Sequence, residues 1–285
     1  MKFSDKATPE ELAEFYKLDD SAVPKDRPYA WLMFVSTFDG RGTFREPGAF
    51  GGDLVAMQHL KGRPEAVGAY NDARLLQIGW AMSDAVLGSA NIIETEKGQL
   101  WKPWDQDILD YRRDVLKKPG EPIKVILTNK GEAPLEEKMF TYDGHKVLIF
   151  TTKAGSDNLL RQADGIEKTT GTNPLKRIKV HVQDVPSVDP VYVARVLRGE
   201  HGVRYLDVTG GPTIAGAFWK AKLIDEYRIT FAPQVIGDRS AAGENRPSPI
   251  AGLSLGPENS SILDSVEVGQ TGGHIYARTR VSYRH

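Results

Sequence analysis

The chain has 285 residues, with 37 Lys and Arg against 38 Asp and Glu, 40% hydrophobic residues and no cysteine. That composition belongs to a folded globular protein. The missing cysteines exclude disulfide scaffolds, thiolate zinc sites, iron–sulfur clusters and cysteine nucleophiles, and a formal net charge of −1 argues against a nucleic-acid footprint.

Thr8-Pro9-Glu10-Glu11 places an N-cap before a proline at the first helical position and predicts a short helix to about Leu18. Glu10, Glu11 and Glu14 form its solvated face. No apolar segment follows the charged N-terminus, as a signal peptide would require. The longest apolar run, Ala30–Val35, is far short of a membrane span. A cytoplasmic protein without membrane partners is expected, with residues 1–27 as a helical arm on a single domain whose core spans about 28–282.

Tyr29–Ser36, bounded by Pro28 and the Asp39-Gly40 turn, reads as the first strand. A long helix follows over Glu65–Met82, then compact strands at Asp84–Gly88, Ile123–Thr128, Lys146–Thr151 and Ile178–Val182. Asp189-Pro190 opens a helix that Gly199 closes. Strand Val203–Val208, helix Pro212–Lys222 and strand Asp225–Pro233 come next. Ile262–Val268 and His274–Ser282, joined by Gly-Gln-Thr-Gly-Gly, form a hairpin. Short buried strands alternating with helices predict an α/β fold, its sheet mostly parallel, of about nine strands, with the hairpin adding antiparallel strands at one edge.

Ligands of such sheets bind outside the carboxyl ends of the strands. The segments there are Thr37-Phe38-Asp39-Gly40, Gly88-Ser89-Ala90-Asn91, Thr128-Asn129-Lys130, Thr151-Thr152-Lys153 and Thr209-Gly210-Gly211-Pro212-Thr213. In the last, two glycines between strand and helix suit close approach of a phosphate to backbone N–H groups, or a plain tight turn. Neither a Rossmann fingerprint nor a Walker A lysine is present. Asp39 fits substrate orientation or proton relay, and equally an Asp-Gly turn. Trp101 and Trp104, in a loop over Gly98–Asp107, fit a cover for a planar ligand, a core cap or a subunit contact. His59, His145, His181, His201, His274 and His285 show no metal-ligand spacing, so no metal is expected; no Gly-x-Ser-x-Gly elbow exists.

Three stretches together resemble the reductase domain of bacterial riboflavin-biosynthesis enzymes. Thr37-Phe38-Asp39-Gly40-Arg41 is similar to that family's Ser-x-Asp-Gly-Arg. Asp84-Ala85-Val86-Leu87-Gly88-Ser89-Ala90-Asn91 resembles Asp-Ala-Ile-Leu-x-Gly-x-x-Thr. Thr209-Gly210-Gly211-Pro212-Thr213-Ile214, continuing through Leu223-Ile224-Asp225-Glu226 to Ala232-Pro233-Gln234-Val235-Ile236-Gly237, resembles Glu-Gly-Gly-Pro-x-Leu, Leu-Val-Asp-Glu and Ala-Pro-x-x-x-Gly. The resemblance covers about residues 27–282. It implies a dihydrofolate-reductase-like three-layer αβα fold, a homodimer, and hydride transfer from NADPH to 5-amino-6-(5-phosphoribosylamino)uracil, a small molecule.

The resemblance also implies site residues. Gly210, Gly211, Pro212, Thr213 and Ile214 would bind cofactor phosphate, with Gly88, Asn91 and Thr128 also on the cofactor side. Lys130 or Lys153 would favour the 2′-phosphate of NADPH. Asp39 and Thr37 would face the substrate as catalytic residues, with Thr209, Trp101 and Trp104 on the substrate side. Two departures stand out: Thr209 replaces the family's glutamate, and Ile92-Ile93-Glu94-Thr95-Glu96-Lys97 replaces an arginine-bearing segment that contacts substrate phosphate. Arg41, Arg45, Arg112 or Arg113 is left to supply that charge. The expected activity is therefore an NADPH-dependent reductase of a planar imine- or carbonyl-bearing substrate, with a dihydrofolate- or pterin-type reductase and a non-catalytic NADPH-binding module as alternatives.

Overall fold

Alternation along the strands decides the layering. In β1 (Tyr29–Thr37), Tyr29, Trp31 and Met33 enter one apolar layer, while Ala30 and Leu32 enter the other. The computed structural model describes residues 1–45, 52–60, 62–63, 65–118 and 120–283. The remaining strands are β2 (Ala85–Ser89), β3 (Ile123–Thr128), β4 (Val147–Thr152), β5 (Lys179–Gln183), β6 (Tyr205–Val208), β7 (Glu226–Ala232), β8 (Ile262–Thr271) and β9 (His274–Ser282). The helices are α1 (Pro9–Tyr16), α2 (Gly52–Val55), α3 (Glu65–Met82), α4 (Ala90–Thr95), α5 (Gln106–Asp110), α6 (Lys138–Thr141), α7 (Lys153–Thr170), α8 (Pro190–His201) and α9 (Pro212–Lys220).

The strands form one sheet in the order β5-β4-β3-β2-β6-β1-β7-β9-β8, parallel as far as β7 and antiparallel for the last two. Leu75, Ile78 and Met82 of α3 and Leu159 and Ala163 of α7 bury one face; Val193 and Leu197 of α8 and Phe218 of α9 bury the other. From β1 the chain passes to β2, builds outward to β5, then returns to insert β6 between β2 and β1. The topology therefore reverses at β2-β6-β1, and in open α/β sheets ligands bind outside the carboxyl ends of the strands at such a reversal.

Several boundaries differ from the sequence expectation. Gly199 does not close a helix: α8 runs on to His201 and ends on Gly202, whose φ of +66° suits a helix stop. Segment 151–153 is not a loop throughout, because Lys153 is the first residue of α7, with the Thr152 hydroxyl accepting from the Gly155 N–H. Likewise Ser89 caps α4, so Asn91 lies in a helical turn. The hairpin is tighter than expected, with β8 running to Thr271 and only Gly272 and Gly273 (φ +54° and +79°) in the turn. The N-terminal arm is fastened to the core. Phe3, Leu12, Phe15 and Tyr16 are buried with α3, and the Met1 ammonium donates to the Val268 carbonyl at 2.6 Å.

Candidate functional site

The five segments share the carboxyl edge of the sheet, and hydrogen bonds join some neighbours among them. The Thr209 N–H donates to the Leu87 carbonyl (3.0 Å), tying the end of β6 to β2. The Thr151 hydroxyl donates to the Thr128 carbonyl (2.6 Å), and the Thr152 hydroxyl to that of Asn129 (2.7 Å). Asn129 in turn holds Ser187 and the Val188 N–H.

At the centre lies the turn from β6 into α9. Gly211 has φ +82°, where an L side chain is strained, and a Cβ there would also sit 3.1 Å from Ile92 of α4. The Gly211 N–H donates to the Thr209 carbonyl, and the Gly211 carbonyl accepts from Ala215. Pro212 has no N–H. Among the described residues, the N–H groups of Gly210, Thr213 and Ile214 have no protein acceptor. Three unpaired amides at the positive end of a helix make an anion cradle.

Thr37 and Asp39 are bonded to each other at the end of β1. Thr37 is fully buried; its hydroxyl donates to Asp39 and accepts from the Arg41 N–H. The Asp39 carboxylate also accepts from the Gly237 N–H (2.7 Å) and the Ile236 N–H (3.3 Å). Desolvation pushes its pKa upward, but the bonds from Thr37, Gly237 and Ile236 win and hold it below the ordinary value. Asp39 is thus an ionised clamp joining the end of β1 to the loop after β7. The Thr37 hydroxyl, engaged by both Asp39 and Arg41, holds that clamp in place.

Of the two tryptophans expected on the substrate side, one is buried in the core and the other lies at the opposite edge. Trp101 is a core residue, 2% exposed, and its ring fills the space that a Cβ on Gly88 would take, 2.3 Å from the indole. Gly88 is needed for that packing. Trp104 is exposed but sits edge-on to Trp80 (5.9 Å), in the last turn of α3, which ends at the opposite, amino edge. Among the arginines, Arg112 is also at the amino edge, its guanidinium donating to the Ala81, Ser83 and Gly120 carbonyls. Arg113 pairs with Asp110 and Asp114 in solvent. Arg45 is exposed at φ +56°. Arg41 remains at the carboxyl edge, its Nε buried without a partner among the described residues.

Asn91, Lys130 and Lys153 are exposed along the edge; Lys153 makes an open pair with Asp157 at 3.2 Å. The Thr128 hydroxyl donates to the Glu132 carbonyl (3.3 Å). Two residues without an expected role belong here. Phe38 is half exposed beside Asp39, its ring tilted against Phe231 at 6.1 Å, an apolar shelf at the carboxyl edge. Ile92 presses on the glycine turn where the resembling family carries its arginine-bearing segment. The only sequence signal for Phe38 is its place inside Thr37-Phe38-Asp39.

A sequence model of the RibD C-terminal domain matches residues 57–254. Riboflavin biosynthesis protein RibD of Bacillus amyloliquefaciens is 32% identical over 137 residues, which cover 46% of this chain and 31% of that protein. The Chlamydia trachomatis protein of the same name is 27% identical over 121 residues, covering 42% and 29%. The matched stretches thus span about a third of the length of these relatives. A pyrimidine reductase-like protein of Corynebacterium diphtheriae superposes with a TM-score of 0.64 at 15% identity, covering 96% of this chain and 99% of its own. Riboflavin biosynthesis reductase Rib7 of Saccharomyces cerevisiae does so at 0.55 and 13%, covering 95% and 98%. What these structures share with the chain is a dihydrofolate-reductase-like α/β fold with a mostly parallel sheet and an antiparallel C-terminal hairpin. The glycine turn and its α4 flank lie inside the matched stretch, and the chain belongs to the RibD C-terminal domain family.

Proposed function

We propose that the chain is an NADPH-dependent oxidoreductase that delivers hydride to a planar, imine- or carbonyl-bearing heterocycle, working as a cytoplasmic homodimer on a small molecule. The observation that carries this reading is the cradle of Gly210, Thr213 and Ile214 amides at the topological reversal of the sheet. The names of the relatives, riboflavin biosynthesis protein and pyrimidine reductase-like protein, support the reaction class. NADPH, when bound, supplies the hydride.

The chain's own residues do the rest. The cradle amides, with Gly211 and Pro212 shaping the turn, donate to the cofactor diphosphate. Lys130 and Lys153 lie two and three strands away from β6, about 10–14 Å along the edge. That span suits an extended dinucleotide whose 2′-phosphate meets their charge. Asn91 and Thr128 lie between. Phe38 stacks on the substrate ring, Arg41 offers the positive charge, and Thr209 offers a hydroxyl where the family has glutamate. Asp39, clamped and ionised, keeps the β1 end in place and leaves proton delivery to another group. With Ile92 beside the cradle, the flank lacks the guanidinium fork that suits a phosphate monoester. The substrate therefore differs from the phosphoribosylamine.

Two measurements test this. Gly211→Val should keep the fold and lose at least about tenfold in NADPH affinity, about 1.4 kcal/mol; unchanged affinity in a folded variant removes the cradle from the argument. Turnover is then compared for the phosphorylated pyrimidine ribosylamine, its dephosphorylated analogue and dihydrofolate. Reduction of the phosphorylated compound with kcat/KM above about 10⁴ M⁻¹s⁻¹, lost with the phosphate, would restore the family substrate. Turnover of none would leave an NADPH-binding module.

A further inference from the structure

β5 is an edge strand, and the last turn of α8 packs beside it. Here His181 of β5 and His201 of α8, twenty residues apart in the chain, bring their Nε2 atoms to 3.1 Å. The His181 ring is buried and stacked on Phe150 at 4.6 Å and 11°, which fixes its orientation. The Lys146 ammonium lies 3.0 Å from His201 Nδ1. An ammonium only donates, so that Nδ1 accepts and the His201 proton sits on Nε2. It points at His181 Nε2, which therefore accepts and carries its own proton on Nδ1. Both imidazoles are neutral, the form in which imidazole ligates metals.

A tetrahedral zinc ion with Zn–N distances of about 2.0–2.1 Å holds two nitrogens about 3.3 Å apart. The pair is already near that spacing. Glu200 adds a carboxylate oxygen, and the three ligand atoms lie within 4.8 Å of one another. Lys179 donates to Glu200 Oε2 at 2.8 Å, and no bond to Oε1 is made among the described residues. We propose that His181, His201 and Glu200 form a three-ligand site for a zinc-type divalent ion, with water in the fourth position, pinning the edge strand to the end of α8. Binding requires the two rings to tilt so that both Nε2 lone pairs converge on the ion, and two further changes. The His201 proton moves to Nδ1, and the exposed Lys146 side chain swings into solvent. Two nitrogen donors disfavour Mg²⁺ and Ca²⁺, which select oxygen. Lys146 precedes the first residue of β4, so the site lies at the amino edge, away from the cradle, and serves stability rather than hydride transfer.

The untagged chain is titrated with Zn²⁺ by calorimetry, with Co²⁺ absorption reporting geometry. One ion per chain is expected, a tetrahedral cobalt spectrum, and a higher unfolding temperature with Zn²⁺ but not Mg²⁺. His201→Gln and Glu200→Gln should each weaken binding by more than about tenfold, His59→Ala should leave it unchanged, and Lys146→Met should tighten it by removing the competing ammonium. Absence of saturable binding to the folded chain, or equal affinity in Glu200→Gln and Lys146→Met, overturns the proposal. Those two changes are at exposed positions, so the test does not depend on His201→Gln folding.

Discussion

Asp207 sits in β6 opposite Trp31 of β1, wholly buried, and neither of its oxygens accepts a hydrogen bond among the described residues. Burial pushes this carboxyl up to about 7, with Trp31 and Arg228 pulling the other way and losing. Glu226, nearly as buried, keeps its charge because Arg228 and Arg278 both bond to it. The raised value sets a sign. Below about pH 4 both folded and unfolded chains hold the Asp207 proton. As pH rises toward 7 only the folded chain retains it, so stability falls, by on the order of 4 kcal/mol at 1.36 kcal/mol per unit. Urea unfolding across this window should show the decline, and Asp207→Asn should flatten it and be the more stable chain at pH 8. A variant no more stable than wild type there would refute the burial account. At this scale the sequence located loops better than roles. Thr37 and Asp39 were legible as a strand-end pair, but their mutual bond and the Gly237 clamp are tertiary facts. The same holds for Trp101, whose partner Gly88 is thirteen positions earlier, and for His181 and His201, which no spacing rule connects.

Among the elements, α3 ends with its carbonyls pointing at the amino edge, and Arg112 gathers them. Its guanidinium donates to Ala81 (2.5 Å), Ser83 (2.8 Å) and Gly120 (2.8 Å), and burial pushes its pKa down to about 10. Arg112→Met leaves several buried acceptors unpaired at about 1–3 kcal/mol each. Unfolding in urea should lose roughly 3 kcal/mol while NADPH affinity of the folded chain stays unchanged, the cap and the cradle being on opposite edges. If affinity fell and stability held, Arg112 would instead be a ligand of the cofactor's phosphates. The central strands, such as β1, β2 and β4, were readable because each is a compact apolar run with turn residues near its ends. α7 was not, because only Gly155, Leu159 and Ala163 of its eighteen residues are buried, too sparse an apolar stripe to stand out. Its cap, Thr152, and its stop, Gly171 at φ +76°, were the available signals. Gly199 misled because glycine is tolerated inside a helix that tertiary packing supports, here through Val196 and Leu197.

For the whole molecule, local patterning specified the parts and left their order open, since nothing in the sequence of β6 says that it will be inserted between β2 and β1. Burial on both faces fits any central position in a parallel sheet. The antiparallel hairpin was readable from its glycines, and it makes β8 the outermost strand. Residues 1–3 cover part of that edge, with Lys2 bridging Gln270 and the Phe3 N–H reaching the Gln270 carbonyl. The rest of β8 carries exposed Ile262, Leu263, Val266 and Val268, beside a register shift between Asp264 and Glu267. Apolar side chains along an open edge invite association, and a two-fold pair is the commonest way to cover them. Light scattering at micromolar concentration should therefore report about twice the 31.5 kDa chain mass. The double variant Leu263→Asp, Val266→Asp should halve it without changing NADPH affinity, because the edge lies beyond β7 and β9 from the cradle. A wild-type mass near 31.5 kDa would mean that the irregular stretch of β8 and its acidic residues, Asp264 and Glu267, already blunt the edge, as monomeric sheet proteins arrange with bulges and charge.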